Sequence, residues 1–174
     1  MTSVRILSMG LLAAALILGG CGTTSQTQAL VQNSALAPEV GMLRVSLSEA
    51  ARERLRDNEG FNQAQLETTL RNDLISRKLL KSASGQQLEV VVTDLRVRHG
   101  AAVYFGGPFS GKDHVVADVL VKDISGRVIK SAKVNVSFRL ASIGSIGTDQ
   151  RNAQMYELFA RHVAAVVDPS IPAE

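Results

Sequence analysis

Three places in this chain hold residue types that could do chemistry. Cys21, the only cysteine in 174 residues, ends Leu18-Gly19-Gly20-Cys21 directly after an apolar run. A lone cysteine in an exported chain has no intramolecular disulfide partner, which leaves its thiol for modification. The second place is Gly106-Gly107-Pro108-Phe109-Ser110-Gly111-Lys112-Asp113, one residue type away from the phosphate-cradling pattern G-x-x-x-x-G-K-[ST]. The third is the set His99, Asp113 and His114, nitrogen and oxygen donors that flank the same glycine-rich segment.

The last two fail on their surroundings. A phosphate cradle needs glycine amides, a helix N-terminus behind them and a hydroxyl after the lysine to hold magnesium. Here Asp113 stands in place of the hydroxyl, Pro108 removes an amide donor, and the next residues alternate as a strand. The bland alternative is a long hairpin loop. The spacing of His99, Asp113 and His114 matches no standard metal site, so no metal and no cofactor is assigned. No nucleophile elbow or zinc-protease pattern is present, and no acid/base pair can be named. His162 falls on the buried stripe of the last helix and reads as a core-edge residue.

The glycine-rich segment keeps one further candidate role. Tyr104, Phe105 and Phe109 lie within it, in a chain whose aromatics number only five Phe and two Tyr. They are candidate partner-contact residues, because aromatic tips on a rigid scaffold are common contact sites. The competing reading folds the same rings back over the core edge.

Around Cys21 the surroundings agree with the chemistry. Arg5 supplies a positive start, residues 11–18 (LLAAALIL) an apolar stretch, and Gly19 and Gly20 small residues before a cut. The apolar stretch is too short for the roughly 20 residues of a spanning helix. This arrangement resembles a lipobox, the signal peptidase II motif of bacterial lipoproteins, with Leu18, Gly19 and Gly20 as the recognition residues. Gly19 departs slightly from the usual Ala, Ser or Thr. The resemblance implies cleavage before Cys21, a thioether-linked diacylglycerol on its sulfur and an acyl chain such as palmitate on its freed amine. Two or more chains anchor a protein firmly where one does not. Gly22, in place of Asp, resembles the sorting signal for transfer to the inner leaflet of the outer membrane, facing the periplasm.

The chain divides accordingly into a signal peptide (1–20), a lipidated cysteine and flexible tether (21–38), a single domain (39–168) and a tail (169–174). The tether is assigned from its Ser, Thr, Gln and small residues. The length fits one compact domain. Loss of Arg5 with the signal leaves 18 basic against 16 acidic residues, too mild a balance for a nucleic-acid binder.

Periodicity supplies the elements that position these residues. Residues 40–47 alternate as a short strand, and 48–60 are heavily charged, with one or two helical turns after a Ser48 cap and too little apolar content to anchor a core. Leu66, Leu70, Leu74 and Leu79 mark an amphipathic helix over 62–80. Strands follow at 88–98, 114–123 and 128–138, the last two as a hairpin, with Val128, Ala132, Val134, Val136 and Phe138 sharing a face. A last helix over 149–167 presents Met155, Leu158, Phe159, His162, Val163 and Val166. The fold class is α+β, in the order β-α-β-β-β-α: a mainly antiparallel four-stranded sheet with both helices on one face. The other face, with Lys133, Asn135, Ser137 and Arg139, is left for solvent or a partner.

Several of these features together resemble small bacterial lipoproteins with a domain of unknown function (4410-type): the helix ending in Leu79-Leu80, the strand from Val115 to Val121, the hairpin motif Asp123, Gly126, Val128 and Ile129, and the glycine-rich stretch from Gly144 to Gly147. More distantly, the order of elements is similar to the periplasmic domains of the curli secretion-channel lipoprotein and of an outer-membrane penicillin-binding-protein activator. The resemblance implies an envelope adapter without catalysis, bound to the membrane through its lipid and to an unidentified envelope protein or cell-wall partner. A homo-oligomer that joins through sheet edges into a ring is the alternative. A nucleotide-binding enzyme built on the degenerate glycine segment is the remotest reading.

Overall fold

The structure, a computed structural model, describes residues 24–30, 39–97, 112–138 and 147–173. Five strands form one sheet: β1 (Thr24–Leu30), β2 (Met42–Leu47), β3 (Gln87–Arg96), β4 (Asp113–Lys122) and β5 (Val128–Phe138), in the order β1-β5-β4-β3-β2. The described helices are α1 (Glu49–Leu55), α2 (Gln63–Ser76) and α3 (Thr148–Val167). The α+β class and the antiparallel β3-β4-β5 meander are as expected. The strand β2 pairs parallel to β3, because the chain between them carries two helices and returns from the far end of the sheet.

Two expectations are corrected. Residues 24–30, placed in a flexible tether, pair antiparallel with β5 from Thr24↔Ser137 to Leu30↔Ser131 and make a fifth strand. A backbone ladder on one side is enough to hold such a strand, and it leaves little apolar signature. The charged stretch 48–60, expected to be too thin for a core, contributes two buried residues, Ala51 and Asn58, and Phe61 is buried directly after it. Its helix starts where Ser48 Oγ accepts from the Ala51 N–H at 3.2 Å.

One cluster of buried side chains joins β2, β3, β4, β5 and the three described helices. β2 supplies Leu43, Val45 and Leu47, β3 Leu88, Val90, Val92 and Leu95, and β4 Val115, Ala117, Val119 and Val121, each at alternate positions. Over this face α2 lays Leu66, Leu70 and Leu74, and α3 lays Met155, Tyr156, Phe159 and Val163. Asn62 caps α2, its side-chain oxygen accepting from the Gln65 N–H at 3.0 Å. The helix ends at Ser76 rather than at residue 80, because Lys78 turns into the left-handed region (φ 61°) and frees Leu80 to bridge Val40. Gly41 beside that bridge has no room for a side chain, since a Cβ there would strike the carbonyl oxygen of Ser84.

The β4–β5 turn is set by Asp123, whose Oδ1 accepts from the N–H groups of Ser125 (2.9 Å) and Arg127 (3.0 Å). These bonds, that of the Ser125 hydroxyl foremost, hold its carboxyl below the usual range although burial opposes them. Gly126 takes a φ of 82°. A bulge at Val121/Lys122 then pairs Lys122 with Val128, which lies 41% exposed instead of on the core face. The same bulge leaves Lys130 opposite Val121, where its Nζ donates to the Val167 carbonyl at 3.1 Å and closes the end of α3. Burial lowers the pKa of Lys130, and Asp168 partly restores it.

Candidate functional site

Asp113 and His114 are neighbours in sequence, and strand alternation sends them to opposite faces of β4. Asp113 shares the buried phase of Val115 and Ala117, so its carboxylate enters the core at 1% side-chain exposure. There Arg151, in the first turns of α3, meets it with Nε at 3.0 Å from Oδ2, itself 3% exposed. The position that a phosphate cradle would give to a magnesium-binding hydroxyl therefore holds one half of a buried ion pair. A strand, not a helix, follows it.

His114 lies on the face that the described helices leave uncovered. Its Nε2 is 3.2 Å from Asp94 Oδ2, while Asp94 Oδ1 is 3.0 Å from Arg54 Nη1 of α1. The bulge at Val92/Asp94 makes this cluster, because it brings Asp94 opposite Val116 and beside His114. Asp113 and His114 are thus not brought together. Asp113 is on the helix side, His114 is on the other, and His99 lies outside the described residues. Among the described residues no group of three such side chains assembles.

The rest of the uncovered face is a lattice of opposite charges between half-buried apolar residues. Lys122 pairs with Glu89, and Lys133 Nζ lies 3.5 Å from Asp118 Oδ1. Val91, Val116 and Leu120 lie between these pairs, each partly exposed.

A buried polar seam ties the α1–α2 connection to the sheet end. Asn58 accepts from the Val97 N–H at 2.8 Å and donates to the Arg54 carbonyl at 2.6 Å. Asn152 donates to the Gly60 carbonyl at 2.6 Å. The Tyr156 hydroxyl accepts from the Asn62 N–H at 2.9 Å, and its ring meets Phe61 edge-on at 5.9 Å. Burial raises the Tyr156 pKa, with the bond from Asn62 opposing. Tyr156 is fully buried, whereas Leu158, expected on the stripe, is only partly buried. Tyr156 lies one position after Met155 and four before Ala160, the spacing that could have found it. His162 is buried at 4%, and its pKa is lowered first by desolvation and then by Arg161.

The two edges of the sheet complete the surfaces on offer. Among the described residues, β1 and β2 each have a strand neighbour on one side only. The Ser48 N–H continues the β2 ladder to the Val92 carbonyl at 2.9 Å, so the alternate residues Leu43, Val45 and Leu47 turn their backbone groups away from β3. One of these groups is met within the chain, as Gln63 Nε2 donates to the Val45 carbonyl at 3.2 Å.

Leu18, Gly19, Gly20, Cys21 and Gly22 lie outside the described residues, as do Tyr104, Phe105 and Phe109. No described helix is long and apolar enough to cross a membrane.

No protein-family model matches the sequence, that of the 4410-type domain included, and no curated protein is similar to it. Solved structures do match. The PelC dodecamer from Paraburkholderia phytofirmans superposes with a TM-score of 0.50 at 15% identity, over 81% of this chain and 98% of that one. A second PelC dodecamer from the same organism, with one substitution, gives 0.49 at 16% over the same shares. A distant fold similarity is thus found, and at this identity what this chain shares with PelC is the fold.

Proposed function

We propose that this chain is a lipid-anchored adapter of the cell envelope. Acylated Cys21 holds it to the inner leaflet of the outer membrane, and it binds an envelope protein or cell-wall partner during envelope assembly or secretion, without catalysis. The observation that carries this reading is Leu18-Gly19-Gly20-Cys21 after a short apolar run in a chain with no other cysteine. β1 begins at Thr24, three residues on, so the lipid is within about 10 Å of the sheet edge even if the link is fully extended. Thr24 is in register with Ser137, Ser137 with His114 and His114 with Arg96. In this reading that end of the sheet faces the bilayer. Tyr104, Phe105 and Phe109, in the connection from β3 to β4, are the proposed partner contacts.

A second reading concerns the working form. A protein of the same fold is a dodecamer, which favours self-assembly of this chain into a ring. Both readings are tested by extracting the full-length protein from its own membrane in mild detergent and measuring its native mass and its N-terminal mass. Triacylated Cys21 with a co-purifying partner supports the adapter, and a multiple of the triacylated monomer supports the ring. An unacylated chain in the soluble fraction refutes the anchor.

A further inference from the structure

We infer that copies of this chain join head to tail through their sheet edges, β1 of one copy pairing antiparallel with β2 of the next. This deepens the self-assembly reading above and rests on it.

Strand directions come first. β2 and β3 run together, β4 opposes them, β5 runs with them and β1 opposes again, so the two edge strands point in opposite directions. Setting one copy beside the next in the same orientation therefore places β1 against β2 as an antiparallel pair, the more stable geometry. The levels also match. Following the register across the sheet, Leu30 is level with Arg44, Ala29 with Val45, Gln28 with Ser46 and Thr27 with Leu47. Two copies side by side thus pair four positions with no slide along the strands.

Within their described residues, neither edge strand carries the usual protection against such pairing. Sheet edges are commonly blunted by proline, lysine or a bulge. β1 (TSQTQAL) has no charge and no proline, and β2 (MLRVSL) has no proline and Arg44 alone as a charge. The bulges of this sheet fall between β3 and β4 and between β4 and β5, while the β1 and β2 ladders run without a break. On β2 the backbone groups of Leu43, Val45 and Leu47 point outward. The Val45 carbonyl already bonds a side-chain amide, which a neighbour's N–H can replace. A two-fold β2–β2 contact would set two copies of Arg44 on one ladder, where like charges repel, and would leave β1 unused. The head-to-tail contact uses both edges and closes into a ring when the rotation per copy permits.

Single cysteines in separate copies test this. Full-length chains carrying Gln28→Cys and Ser46→Cys are co-produced, oxidised in the membrane and run without reductant. The natural chain, whose Cys21 is proposed to be blocked by its thioether, serves as the control. Within one copy, positions 28 and 46 are four strand spacings apart, about 19 Å, well beyond disulfide reach. A mixed dimer between the two variants, together with a multimeric native mass, is the expected result. Pairing Gln28→Cys with Arg44→Cys covers a contact slipped along the strands. A multimeric mass with no mixed dimer from either combination, or with Ser46→Cys bridging only to itself, overturns the edge contact and leaves self-assembly standing. A monomeric mass overturns both.

Discussion

The buried Asp113–Arg151 pair makes the sharpest prediction about the glycine-rich segment, because a ligand-binding aspartate and a structural one respond oppositely to removal. Both side chains are almost fully buried, 3.0 Å apart. Asp113→Leu takes the carboxylate away from a buried guanidinium, and Arg151→Met takes the guanidinium away from a buried carboxylate. Breaking a buried pair from one side costs about 3–5 kcal/mol. For a domain of this size, with each kcal/mol worth roughly 3–5 °C, each single variant should melt about 10–20 °C lower. The double variant removes both charges together and should recover most of that loss, since apolar replacement of a buried pair is often neutral or better. Thermal unfolding followed by far-ultraviolet circular dichroism on the detergent-solubilised chain reads all three. Single variants within about 1 kcal/mol of the natural chain, or a double variant as unstable as the sum of the singles, would refute the structural role and return Asp113 to the candidate ligands.

Two further predictions concern the seam and the last helix. Tyr156→Phe leaves the Asn62 N–H without its acceptor and should cost about 1–3 kcal/mol in urea unfolding, with the midpoint moved and the slope unchanged. The raised Tyr156 pKa means that the folded chain holds its phenol proton longer, so stability falls as pH rises above the ordinary value of 10.0. Phenylalanine at 156 should flatten that alkaline limb. His162 has a lowered pKa, so its contribution is complete above the ordinary 6.5 and is lost as pH falls from there toward the folded value. His162→Gln should reduce the slope of stability below pH 6.5, and an unchanged slope would locate the acid sensitivity elsewhere.

What could be read in advance divides along physical lines. The β4–β5 hairpin and its buried positions from Val115 to Val136 were legible, because alternate residues facing a packed layer must be apolar. So was α2, with leucines every four residues and Asn62 at its start. Bulges were not legible: the one at Val121/Lys122 exposes Val128 and turns Lys130 toward α3, and nothing in the local alternation marks where it falls. The α1–α2 connection was undervalued for a related reason. Its buried members include Asn58, whose place depends on the distant Val97 N–H, a bond that local composition cannot forecast. At the candidate site, alternation alone separates Asp113 from His114. Pairing Asp113 with Arg151 needed the fold.

The fifth strand is the case in which composition misleads most. Thr, Ser, Gln and Ala make a good solvated tether, and they make an equally good edge strand, because such a strand needs only its backbone on one side and can carry polar side chains. The two uses differ in what lies next to the backbone. In this sheet β5 takes one side of β1, and the seven-residue ladder from Thr24 to Leu30 has no bulge to weaken it. The other side of β1 carries neither charge nor proline to turn a second strand away, and the opposite edge, at β2, runs in the direction that would suit it. In the proposed reading, a lipid-anchored chain at high local concentration on a membrane, with two edge strands of compatible direction, meets its own copies in two dimensions and in a fixed orientation. Association then costs less orientational freedom than in solution. In that reading acylation and edge pairing are coupled. The Cys21→Ser chain, released from the bilayer, should assemble far more weakly than the anchored chain at the same total amount, although no residue of the interface has changed. Equal assembly of the two forms would show that the contact does not depend on the membrane.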